Sequence, residues 1–276
     1  MTSLYDTLQA QSSVPVAYAA WADYRAKLTA FLLEHAYPGG TLLIAGAGAC
    51  DDIDLPLLMA RFPSVILLDR DADALARAVK TCPGRGVSVC AADLLGVSAG
   101  AYRQLEGETL AAIRAGFDAD SLPQTFPGGA EALLSAARPD PLPQADTVVC
   151  CGVHSQLLAM FARMAAVFAR YVPIGLERVF TALSRRNTLL QPAFNTRLNE
   201  AARHTLILGL ETGREGVPGG IEGAAQALAD ASARFTETAH TELLWPFDAS
   251  QGKIYTVRVS AFDTSKNAPC AVAGKG

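Results

Sequence analysis

Five short apolar runs recur along this chain, separated by stretches of helical spacing. They are TLLIAG (41–46), VILLD (65–69), VSVCAAD (87–93), DTVVCC (146–151) and HTLILGLE (204–211). A short run with no polar alternation is the pattern of a strand covered on both faces. Such strands need helices above and below, and crossovers that bring each strand back parallel to the last. The sequence therefore predicts a doubly wound, mostly parallel α/β sheet in one domain over residues 1–276.

The segments between the runs are consistent with this. Residues 14–36 read as one helix, with Leu28, Phe31 and Leu32 on a shared face and Trp21 and Tyr24 a turn or two earlier. Pro38-Gly39-Gly40 then breaks the chain, closing an N-terminal helical segment over 1–40. Further helices are expected over 51–62, ended by Pro63, over 71–80, and over 154–172, with a turn at Pro83-Gly84. Residues 97–144 contain SLPQTFPGG and ARPDPLPQ, with helical stretches near 102–115 and 129–137. This region reads as an insertion after the third strand, near the sheet edge where ligands of α/β proteins bind. At the end of the chain, TELLW (241–245) and KIYTVRVSAF (253–262) suggest an antiparallel hairpin. In the second, Tyr255, Val257, Val259 and Ala261 alternate with Thr256, Arg258 and Ser260.

Composition narrows the function classes. Half of the 276 residues are hydrophobic and the formal net charge is −4. A soluble globular protein is expected, with no general attraction for nucleic acid or an anionic membrane. The start, MTSLYDTLQAQ, shows no basic or apolar signal segment. The apolar stretch Leu157–Leu176 is interrupted by Arg163 and Arg170, so it reads as a buried helix rather than a membrane span. The six cysteines form no CxxC pair and are expected as reduced thiols in a cytoplasmic protein. Cys150 and Cys151 alternate along a strand, so they are poorly placed to share a metal with His154, and no metal is expected.

The ligand signal begins where the first run ends, at Gly46-Ala47-Gly48, followed by Ala49-Cys50-Asp51-Asp52. A dinucleotide turn of GxGxxG type needs a third glycine where Asp51 stands, and a carboxylate there competes with a pyrophosphate for the helix dipole. No lysine follows the glycines, which excludes a P-loop. A ligand without phosphate fits better. Glycines permit close backbone approach. Asp69, ending the second run, suits hydroxyls, and Asp93, ending the third, suits a hydrogen-bond donor. Adenosine offers both, and a sulfonium tolerates acidic neighbours.

LLIAGAGACDDIDL, VILLDRDADAL, VSVCAADLLG and ADTVVCCGVHSQL together resemble class I S-adenosylmethionine-dependent methyltransferases, from about residue 41 to the C-terminal hairpin. The resemblance implies a sheet order 3-2-1-4-5-7-6. It implies S-adenosylmethionine as cofactor and S-adenosylhomocysteine as product. Ala45, Gly46, Ala47, Gly48 and Cys50 match the turn beneath the methionine and ribose portions. Asp69 matches the ribose-diol acid, Arg70 the position against adenine, and Asp93 with Leu94 the adenine edge. Gly152 and His154 follow the fourth strand, where His154 is the best candidate for a base, if one is used, with a helix-start role as the alternative. Tyr18, Trp21 and Tyr24 lie where family members often cover the cofactor, and packing on the sheet accounts for them as well. Trp245 is expected as core, and Arg185 and Arg186 as solvated.

The departures are Ile44, where many members carry an acid, and Cys50, where a third glycine is usual. Asp51 or Asp52 is expected to supply the missing carboxylate. The activity implied is methyl transfer to a small molecule, since no NPPY-like or PCQ-like motif of base methylation is present. The alternatives are aminopropyl transfer on the same fold, a cofactor-binding protein without catalysis, and an NAD-dependent oxidoreductase. The sequence specifies neither the substrate nor an oligomeric state.

Overall fold

The computed structural model describes residues 2–11, 14, 16–82, 86–115, 122–171, 176–216 and 223–265. Seven strands form one sheet: β1 (Thr41–Ala45), β2 (Ser64–Asp69), β3 (Val87–Ala91), β4 (Ala145–Cys151), β5 (Ala202–Arg214), β6 (Thr236–Asp248) and β7 (Lys253–Asp263). Their order is β3-β2-β1-β4-β5-β7-β6. The first five are parallel, and β7 runs antiparallel between β5 and β6. This is the order that the resemblance implies, with the terminal hairpin formed by β6 and the alternating segment of β7.

Successive residues of the central strands enter different cores. Leu42 and Ile44 join Val65, Leu67, Val149 and Val257 on one face, under α3 (Ala22–His35), α4 (Leu55–Arg61) and α5 (Ala72–Lys80). Leu43 and Ala45 join Leu68, Val148, Leu206 and Leu208 on the other, under α9 (Leu176–Ala201) and α10 (Ala224–Arg234). Burying each leucine contributes roughly 1.5–3 kcal/mol, which is why the runs carry no polar alternation. The edge strand β3 departs from this pattern. With a neighbour on one side only, it leaves Val89 exposed.

A third core contains no strand residue. It joins α1 (Leu4–Ala10), α6 (Ala99–Arg114), α7 (Leu122–Ala136), α8 (Ala159–Phe168) and the start of α9, around Tyr5, Tyr102, Phe161, Met164 and Leu183. The stretch expected as an insertion thus supplies two helices of this layer. No helix among the described residues is long and apolar enough to cross a membrane.

Several boundaries differ from expectation. The helix expected over 14–36 is two helices, α2 (Ala17–Ala20) and α3, parted at Trp21, whose indole N–H donates to the carbonyls of Pro246 and Phe247. The helix expected from Asp51 begins at Leu55, where Asp54 caps it by accepting from Leu57 N–H. Pro56 explains the shift, because proline is tolerated in a first turn but not in a helix interior. Asp51 and Asp52 therefore lie in the turn before α4. The helix expected from His154 starts instead with a 3-10 turn, His154–Gln156, followed by α8. The turn at Pro83-Gly84 lies outside the described residues, as does Cys270.

Helices α1, α9 and α10 had no counterpart in the sequence reading. The 26-residue α9 contains Pro192, and much of its buried face is polar, with Asn187, Gln191 and Asn195 one turn apart. A search for apolar periodicity passes over such a stripe.

Candidate functional site

The sheet order lines up the candidate residues along the C-terminal strand ends. Asp93 follows β3, Asp69 ends β2, Gly46–Gly48 follow β1, and Gly152 follows β4. Neighbouring strands lie about 4.8 Å apart.

The β1 turn is tied to β2 by Gly46 and Ala47, whose N–H groups donate to the Leu68 carbonyl at 2.8 and 3.0 Å. Its two glycines have different duties. At Gly46 (φ +78°) a Cβ would stand 2.2 Å from Val153 Cγ2, so this glycine is required by packing against the loop after β4. At Gly48 (φ +50°) a Cβ would meet nothing within 4 Å, so the open approach expected of both glycines belongs to Gly48. Cys50 holds a left-handed backbone at φ 56° and is buried. It keeps a glycine-like conformation without being glycine. Burial pushes its thiol pKa well up, so it is not a reactive thiolate.

Asp69 braces the turn. Its Oδ2 accepts from Gly48 N–H and its Oδ1 from Asp71 N–H, both at 2.9 Å. Burial nonetheless raises its pKa. Each carboxylate oxygen keeps a second lone pair, so hydroxyls can still be accommodated. Asp93 sits two residues beyond β3. Its Oδ1 accepts from Leu95 N–H at 2.8 Å and Val97 N–H at 3.2 Å, and its Oδ2 lies 3.8 Å from Arg70 Nη1. Arg70 thus stands within ion-pair distance of Asp93. The Leu94 carbonyl accepts from Arg197 Nη1. Beside this group Tyr5 stacks on Tyr102 with centroids 5.0 Å apart, and Glu106 accepts from the N–H groups of Leu4 and Tyr5 at 2.8 and 3.1 Å.

His154 is elsewhere. It is fully buried, and its Nε2 lies 3.0 Å from Asn195 Oδ1 on α9. Its carbonyl accepts from Asn187 and Gln191, each at 3.0 Å. Burial pushes its pKa down to about 4. An imidazole enclosed in this way anchors α9 to the end of β4. The base role expected for it is corrected to a structural one.

Asp51 and Asp52 are partly buried in the β1 turn. Burial raises the Asp51 pKa and pushes Asp52 up to about 7. Arg25 donates to the Asp51 carbonyl at 3.1 Å and reaches the Tyr18 carbonyl, over whose ring it lies at 3.7 Å. Gly152 (φ +67°) donates to the Gly209 carbonyl at 2.9 Å, and a Cβ there would stand 3.0 Å from the Trp245 ring and 3.8 Å from Glu211 Oε1.

Glu211 is the residue the sequence reading missed. It extends the edge row onto β5. It is 2% exposed, accepts from Ser155 Oγ through Oε1 at 2.8 Å, and has no partner for Oε2 among the described residues. Burial raises its pKa. The signal was present, because HTLILGLE ends in an acid as VILLD and VSVCAAD do. Around it Tyr24 stacks on Trp245 at 5.3 Å, and Trp21 meets Trp245 edge-on at 5.1 Å.

These features bear on a nucleoside cofactor. Gly48 leaves open space, Asp69 and Asp93 retain acceptor capacity, and Asp51 and Asp52 place two carboxylates in the turn, with Arg25 on the Asp51 carbonyl. The residues present fit an uncharged nucleoside or a sulfonium, and they oppose a pyrophosphate.

No family model and no curated protein matches the chain. Solved structures with some similarity to the chain are found. A magnesium protoporphyrin IX methyltransferase from Synechocystis PCC 6803, with bound SAM, is 13% identical over 95% of this chain and 85% of its own, with a TM-score of 0.41. A protein from work on conversion of a disulfide bond into a thioacetal group during echinomycin biosynthesis is 17% identical over 97% and 94%, at 0.47. A putative RNA methyltransferase from Pyrococcus horikoshii is 12% identical over 98% and 100%, at 0.45. Identities this low speak to the fold alone, and the fold of this chain rests on its own strand order.

Proposed function

We propose that this chain is an S-adenosylmethionine-dependent methyltransferase acting on a small molecule. The observation that carries the reading is the edge row. Asp93, Asp69 and an open Gly48 stand on successive strand ends, beside a turn whose acids disfavour phosphate. In this reading Asp69 accepts from the ribose hydroxyls, Asp93 from the adenine amino group, and Gly48 admits the nucleoside to the backbone. The cofactor, when bound, supplies an electrophilic methyl group. The chain's own contribution is to orient both partners and exclude water. His154 is given no part in this reading, since it is fully buried with its Nε2 3.0 Å from Asn195 Oδ1. A net charge of −4 favours a small acceptor over a nucleic acid.

Calorimetric titration with S-adenosylmethionine, S-adenosylhomocysteine and NAD tests this. Both sulfur nucleosides are expected to bind and NAD is not. NAD binding without a response to either sulfur nucleoside overturns the reading.

A further inference from the structure

Asp93 stands beyond the edge of the sheet. Its strand β3 has a neighbour on one side only, so no strand supports the loop over 92–98 from the far side. The loop is held at three places instead. At its start, Ala92 N–H donates to the Asp69 carbonyl at 3.0 Å. Near its end, Gly96 (φ +73°) lies against the backbone of Pro139, where a Cβ would stand 2.4 Å from the nitrogen and 2.6 Å from Cα. Between these, the carbonyl of Leu94 accepts from Nη1 of Arg197 on α9. Asp93 closes the loop from within, through Oδ1 on the N–H groups of Leu95 and Val97 and its carbonyl on Gly96 N–H at 3.0 Å.

Arg197 is half-buried and makes no ion pair among the described residues. Its Nη2 donates to the Asp140 carbonyl at 2.7 Å, in the segment 137–144 that leads into β4. Burial lowers its pKa, and a guanidinium stays charged nonetheless. The side chain therefore gives up hydration to join two backbone carbonyls from separate segments. A planar fork with N–H groups on both terminal nitrogens can reach two carbonyls at once, whereas an ammonium is a single point. The same helix holds the other flank of the glycine turn. Asn187 and Gln191 donate to the His154 carbonyl after β4, each at 3.0 Å. In the order β3-β2-β1-β4, the loops that α9 grips stand on either side of the turn after β1.

We propose that Arg197 is a positioning residue for the ligand edge, acting through the Leu94 carbonyl to keep the Asp93 carboxylate in line with Asp69. Its effect on a ligand rests on the methyl-transfer reading above, and its effect on the loop does not.

R197M keeps the bulk of the side chain and loses both hydrogen bonds, while R197K keeps the charge and can make one. Amide hydrogen exchange, read residue by residue by NMR on the parent and both variants, reports the loop without any ligand. The amides of Leu95, Gly96 and Val97 should exchange about tenfold faster or more in R197M. Those of Gly46, Ala47 and Gly48, bonded to Leu68 and Asp69, should stay within about twofold of the parent. R197K should fall between. Calorimetry with adenosine on the same proteins should show binding weakened about tenfold in R197M and less in R197K. Unchanged exchange at 95–97, or acceleration shared equally by 46–48, overturns the positioning role, and R197K decides by the same comparison where R197M does not fold. D93N, titrated alongside, separates the two levels of the argument. A loosened loop with adenosine affinity lost in D93N but retained in R197M overturns the positioning of Asp93 by Arg197. Adenosine that ignores both variants, or fails to bind the parent, while 95–97 alone are loosened, removes the nucleoside from this edge and leaves Arg197 as the brace of the loop.

Discussion

Cys50 shows how much of this site is set by single backbone angles. A left-handed residue with a Cβ costs roughly 1–2 kcal/mol, and Cys50 adopts that conformation while buried. C50G relieves the strain and loses only a small side chain, so its stability should stay within about 1 kcal/mol of the parent in urea unfolding. C50V combines a branched Cβ with positive φ and should lose about 2 kcal/mol or more. Equal stability of the two variants would contradict the assignment. His154 and Asp52 make an opposed pair in pH. The His154 pKa falls from 6.5 to about 4, so its stabilising contribution is present above 6.5 and lost as pH drops toward 4. The Asp52 pKa rises from 3.8 to about 7, so its contribution is present below 3.8 and lost as pH rises toward 7. The two are worth on the order of 4 kcal/mol for Asp52 and 3 kcal/mol for His154, and they oppose one another across the same window. Relative to the parent, H154Q should therefore lose stability more steeply as pH rises from 4 to 7, and D52N less steeply. Denaturant curves at pH 4.5, 5.5 and 6.5 check this, and parallel profiles for all three proteins would refute it.

At the scale of elements, strands were more legible than helices, for a physical reason. A strand covered on both faces must be apolar along its whole length, and VILLD or TVVCC have few other structures available. A helix needs only one buried stripe, and that stripe need not be apolar. Asn187, Gln191 and Asn195 fill it on α9 because the carbonyl and imidazole of His154 require polar partners there. Asn195 also donates to the Ala227 carbonyl at 2.9 Å and to Asp230 at 3.0 Å, joining α9 to α10. N195A leaves His154 Nε2, a carbonyl and part of a carboxylate without their partner. It should cost about 2–4 kcal/mol in thermal or urea unfolding, from one buried network. A loss below about 0.5 kcal/mol would show that the network carries no stability. The same logic explains the site. Asp69 and Asp93 stood out as candidates because an acid ending an apolar run has to be explained. Glu211 met the same criterion on β5 and was absorbed into its strand. His154 was misread because sequence order places it at the strand end but does not say which way the ring turns.

At the scale of the whole molecule, the strand order turns separate local signals into one row. The order β3-β2-β1-β4-β5 sets the acids after β3 and at the end of β2 on one side of the glycine turn, and Glu211 on the other. In the methyl-transfer reading these two sides meet different parts of one ligand. The nucleoside side should recognise adenosine without any sulfur group attached. D69N removes charge from an acceptor that also braces Gly48, and D93N removes charge from the acid paired with Arg70. Charged hydrogen bonds contribute about 1.5–3 kcal/mol each, which is a factor of roughly 10–100 in affinity. Both variants should therefore weaken adenosine, S-adenosylmethionine and S-adenosylhomocysteine by similar factors, because all three share the nucleoside. Calorimetry on the two variants separates this from a merely structural role, since general loosening of the turn would also lower the melting temperature of the ligand-free protein. Unchanged affinity for all three ligands in both variants would remove the nucleoside from this edge. A loss confined to the two sulfur compounds would move it along the row toward Glu211.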